Sequence, residues 1–83
     1  MVFQDAFDAA QRFLDRVVRG EHDVEIVINK CDELSSGWAF YYDSRAFVER
    51  DDISSALTGN GPLIVLKSGT PPYIGRISDL RDL

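Results

Sequence analysis

Residues 38–43 read WAFYYD, and their alternation decides the fold. At the two-residue period of a strand, Trp38, Phe40 and Tyr42 share one face while Ala39, Tyr41 and Asp43 share the other. Three large aromatic side chains on one side require a second layer to bury them. Upstream, DVEIVINK at 23–30 alternates Val24, Ile26 and Ile28 against Glu25, Val27 and Asn29 with a β-branched bias. The two segments are predicted to pair as antiparallel strands across the polar connection CDELSSG.

The covering layer is legible at the N-terminus. From Val2 to Arg19 the apolar residues Phe3, Phe7, Ala10, Leu14 and Val17, joined by Ala6, Phe13 and Val18, fall at the spacing of three and four that marks an amphipathic helix. Its other face carries Asp5, Asp8, Arg12, Asp15, Arg16 and Arg19, with Asp8 set to pair with Arg12 and Asp15 with Arg19. Gly20 supplies the stop.

Downstream, SRAFVER at 44–50 has no clear period, whereas Asp51 or Asp52 followed by Ile53, Ala56 and Leu57 predicts an N-capped helix of about two turns. The stretch LTGNGPLIV at 57–65 then closes that helix at Gly59, turns through Asn60 and Gly61, and opens a third strand at Pro62. After the turn SGT, the segment PPYIGRIS is expected to supply a fourth strand at the sheet edge, with Tyr73 or Ile74 inward. The predicted fold class is α+β: an N-terminal amphipathic helix packed on a small antiparallel sheet of about four strands, with a short helix before strand three.

The face away from the helix keeps Val27, Ala39 and Tyr41. Segment 44–57, with Phe47, Val48, Ile53 and Leu57, is the expected cover; otherwise that face is an interface, which leaves a homodimer through the second sheet face open.

At 83 residues the chain is expected to form one domain, 1–83, burying about 60% of its unfolded surface. No apolar run approaches the roughly 20 residues of a membrane span, and the acidic N-terminus MVFQDAFDAAQ does not read as a secretory signal. The expectation is a cytoplasmic protein with no membrane contact. A net charge of -5 and a pI near 4.6 disfavour nucleic acid and suit a basic protein partner.

Chemistry-bearing residues are sparse. GNGP at 59–62 follows a predicted helix and precedes a strand, the reverse of a phosphate loop, and has no lysine after its second glycine. Cys31 and His22 are the only candidates for a nucleophile and base, and they read more simply as a half-buried small residue and a solvated imidazole. The adjacent acids Asp32 with Glu33 and Asp51 with Asp52 lack metal-ligand spacing, so neither metal nor cofactor is expected. Tyr41 and Asp43 on the outward face, Arg45 beside them, and Asp51 and Asp52 are the candidate partner-binding residues. For Arg45 the competing reading is an ion pair within the chain.

Residues 37–65, GWAFYYDSRAFVERDDISSALTGNGPLIV, resemble the signature of the immunity protein 35 family, the YrhB-like domain. Gly37, Trp38, Phe40, Tyr42, Ser44, Arg45, Phe47, Asp52, Ala56, Leu57, Gly59, Asn60, Pro62 and Val65 fall on the family pattern without a gap. Arg50, Asp51 and Asp52 stand where many relatives have T-G-D, and the tail at 71–83 departs from the usual ending. The resemblance implies a small bacterial protein of a polymorphic toxin system, an immunity protein that inhibits its cognate toxin by direct stoichiometric binding, without catalysis. The alternative function is a small chaperone-like protein that binds unfolded clients.

Overall fold

A computed structural model describes residues 2–18, 20, 25–51, 61–76, 78 and 80. Helix α1, Phe3–Phe13, continues into a wider π-helical turn, Leu14–Val18. Strand β1, Ile26–Glu33, and strand β2, Gly37–Ser44, lead into helix α2, Arg45–Arg50, then strand β3, Leu63–Leu66, and strand β4, Tyr73–Ile74. The strands form one antiparallel sheet in the order β1-β2-β3-β4. The α+β class and the helix-on-sheet layering are as the sequence predicts.

The aromatic face of β2 builds the core. Trp38, Phe40 and Tyr42 are buried beside Ala6, Ala10 and Leu14 of the helical layer and Leu63 and Val65 of β3. α1 lies over β3, and its π turn lies over β1. Widening the last turn keeps both Leu14 and Val18 on the buried side. Asp8 accepts a hydrogen bond from the Gln4 side chain at 3.0 Å, and Asp15 accepts one from Gln11 at 3.1 Å. The expected Asp8–Arg12 pair does not form, and the expected Asp15–Arg19 pair lies outside the described residues because of Arg19.

The first strand differs from its expected bounds. It runs through Cys31, Asp32 and Glu33, residues that read as a polar connection, while residues 21–24 lie outside the described set. A β-bulge explains the error. Ile28 pairs with Tyr42, but Lys30 rather than Asn29 pairs with Tyr41, so one extra residue shifts the alternation. Cys31 thereby joins the core side opposite Phe40, and Lys30 and Asp32 turn to the other face.

Helix α2 forms within 44–50, the segment whose pattern has no clear period. Ser44 is its N-cap: its Oγ accepts from the Phe47 N–H at 3.2 Å. Asp51 ends α2 in the left-handed conformation, φ 53°, with its N–H donating to the Phe47 carbonyl at 3.0 Å. Asp52, the expected helical stretch at 53–57, and the turn residues Gly59 and Asn60 lie outside the described residues.

Two glycines are required by close approach. A Cβ on Gly37 would strike the Val65 carbonyl across the β2–β3 ladder, and one on Gly61 would strike the Gly75 carbonyl. Pro62 is buried directly before β3. The fourth strand is two residues long, and neither side chain is inward: Tyr73 is 38% exposed and Ile74 43%.

The face opposite α1 is covered at its centre. Ala39 and its cross-strand neighbour Ile64 are both 0% exposed although neither belongs to the α1-side core. Phe47 of α2 is half-buried and Val48 is exposed.

Phe40→Ala is expected to cost about 3–5 kcal/mol and Ser44→Ala about 1 kcal/mol, the first from a core cavity and the second from a lost cap. Denaturant midpoints measure both. Equal, negligible shifts would contradict the placement of Phe40 between α1 and the sheet.

Candidate partner-binding surface

The bulge assembles a polar group on the face away from α1. The Tyr41 hydroxyl bonds to the Asp32 carboxylate, and the Lys30 ammonium lies 5.2 Å from the centre of the Tyr41 ring. Lys30 also approaches Asp32 at 3.9 Å, an exposed pair of small energetic weight. Burial, then the charge of Asp32 and its hydrogen bond, raise the Tyr41 phenol above its ordinary value.

Asp43 lies on the same side of β2 and accepts the Ser44 N–H at 2.8 Å, which fixes the strand-to-helix corner. Arg45, the first residue of α2, is clamped between Glu25 at 3.1 Å and Glu49 at 3.2 Å. Its backbone N–H also donates to the Glu25 carbonyl at 2.9 Å. The ion-pair reading of Arg45 therefore describes its contacts. Asp51 is exposed at the far end of α2.

Four of the five sequence-derived partner residues thus lie along β2 and α2, and the fifth, Asp52, is outside the described residues. Sequence reasoning missed Lys30, Asp32, Glu25 and Glu49 as members of this surface. The acid at i+4 from Arg45 was a readable signal for Glu49. The other three depend on strand register.

Cys31 points to the core side, half-buried, and its thiol is raised above its ordinary value by burial first, then by Asp32 and Glu33. A thiol so placed stays protonated and is a poor nucleophile. His22 is outside the described residues. Among the described residues no group of three or more His, Cys, Asp or Glu side chains is placed to hold a metal ion, and no helix is long and apolar enough to cross a membrane. No buried side-chain polar atom among them lacks a partner.

The described residues form a small α+β fold whose surface charges pair with one another. The chain belongs to the immunity protein 35 family, which it matches over residues 4–75. It is 32% identical over 83 residues to a protein of Escherichia coli (strain K12) described as "uncharacterized protein YrhB", covering 99% of this chain and 83% of that one. No solved structure matches it significantly. The family name is that of immunity proteins, which act against toxins.

Asp32→Asn removes the charge that raises both Tyr41 and Cys31, so both groups should ionise at lower pH than in the parent. Because the neutral phenol is favoured in the folded state, its contribution to stability is present below the unfolded tyrosine value of about 10 and is lost as pH rises through the raised folded value. Ultraviolet titration of the tyrosines and the rate of thiol alkylation at pH 8–9 read the two effects. Unchanged curves in the folded variant would contradict the contact.

Proposed function

We propose that this protein is an immunity protein that neutralises a cognate bacterial toxin in the cytoplasm of the producing cell by direct stoichiometric binding. Membership of the immunity protein 35 family across residues 4–75 carries the reading. Binding alone suffices, with no catalytic group and no cofactor. The net charge of -5 favours a toxin with a basic surface, which the field of the protein draws in from a distance. The contact surface is Tyr41, Asp43, Arg45, Asp51 and Asp52, flanked by Glu25 and Glu49.

The chaperone-like reading relied on an uncovered second sheet face. Burial of Ala39 and Ile64 at the centre of that face favours a dedicated partner over unfolded clients.

Mixing the purified chain with the toxin domain encoded beside its gene is expected to give a one-to-one complex on gel filtration and to abolish toxicity on co-expression. Added salt should slow association far more than it speeds dissociation. A folded toxin that keeps full activity in excess of this chain would refute the proposal.

A further inference from the structure

We propose that the outer edge of β4 is a strand-docking site for an extended segment of the basic partner protein, a contact that rests on the toxin-binding reading above. The two edges of the sheet differ in how they are finished. β1 is shielded. The Gln11 side chain donates to the Ile26 carbonyl at 3.4 Å, the bulge breaks the even spacing of its outward groups, and Lys30, Asp32 and Glu33 line its second half.

β4 is finished differently. Leu63 pairs with Ile74 and Ile64 with Tyr73, while the Gly75 N–H donates to the Pro62 carbonyl at 2.8 Å. Hydrogen-bonded and non-bonded pairs alternate along an antiparallel ladder, so Leu63 and Ile74 form a non-bonded pair. The N–H and C=O of Ile74 therefore point away from β3, and no described residue pairs with them.

The side chains flanking that edge are apolar and exposed. Ile74, opposite core residue Leu63, is on the α1 side and 43% exposed; Tyr73, on the other side, is 38% exposed. Phe3, 47% exposed, leans on Phe40, whose cross-strand neighbour is Leu63. A donor and acceptor on one residue, unpaired among the described residues and with apolar cover on both sides, match an extended backbone better than a helix or a small ligand. Pro72 has no N–H, so the site offers one anchoring pair rather than a long ladder, and this limits pairing between copies. The net charge of -5 favours encounter with a basic partner, whose extended segment then docks here.

The Ile74 N–H has no partner across the ladder, so Ile74→Pro removes the outward donor without removing a bond of the sheet, and proline is tolerated at such an edge. Ile74→Val keeps the donor and most of the side chain. Against the purified toxin domain encoded beside the gene, Ile74→Pro is expected to raise the Kd at least tenfold relative to Ile74→Val, with little change in melting temperature. In the wild-type complex the Ile74 amide is expected to exchange at least tenfold more slowly than in the free protein. Equal affinities for the two folded variants overturn the proposal while leaving toxin binding intact; absence of any wild-type complex overturns both. If Ile74→Pro does not fold, the exchange rate decides, and an unchanged rate is fatal. A wild-type homodimer that Ile74→Pro dissociates would assign the edge to a second copy instead.

Discussion

Phe40 is fully buried under the start of α1, with the Phe3 and Phe7 rings at centroid distances of 6.0 and 6.1 Å and Cys31 and Leu63 beside it on the neighbouring strands. That contact holds helix, sheet centre and both flanking strands in one arrangement. A domain of this size has a single core, so the residues that meet at Phe40 carry a large share of the apolar burial that offsets chain entropy. Trp38 and Tyr42 extend the same face toward the two ends of β2, and Lys67 lies 5.4 Å from the Trp38 ring centre while bonding to Glu33 at 3.3 Å. Gly37 lets β3 close in where any side chain would hold it off.

The helix and the aromatic strand were legible because their periods are unambiguous: three-and-four spacing from Phe3 to Val18, and strict alternation from Trp38 to Asp43. β1 was legible only up to Asn29. A bulge adds a residue without leaving a compositional mark, and beyond it each side chain lies on the face opposite to the one simple alternation assigns. Cys31 in the core and Asp32 beneath Tyr41 follow from that single insertion. Helix α2 was illegible for a related reason. Residues 44–50 carry no clear period, and only the end of β2 at Ser44 decides that a helix starts there.

The candidate surface was half legible by the same logic. Tyr41 and Asp43 follow from strand parity alone, and Arg45 follows from its position after Ser44. Lys30, Asp32 and Glu25 are brought to them by pairing between strands, which no local pattern encodes. The edge position of β4 was legible from the two prolines before Tyr73, but the inward side chain was not: the two-residue pairing leaves both Tyr73 and Ile74 exposed.

The charges of this surface bear on how a partner is held. Glu25 and Glu49 already neutralise Arg45, Asp43 accepts a backbone N–H, and Asp32 bonds Tyr41 and faces Lys30. A cation arriving at Glu49 competes with Arg45 for the same carboxylate, so the net gain on contact is small. The long-range field is unaffected by this competition, because it depends on net charge and extends over a Debye length of about 8 Å at physiological ionic strength. In the proposed complex, steering and anchoring therefore fall to different parts of the molecule. Acids distributed over α1, β1 and α2 would raise the encounter rate with a basic partner, and slow dissociation requires buried apolar contact with satisfied backbone groups. Phe3, Tyr73 and Ile74 offer that combination at the β4 edge, where apolar side chains stand beside an outward-facing N–H and C=O.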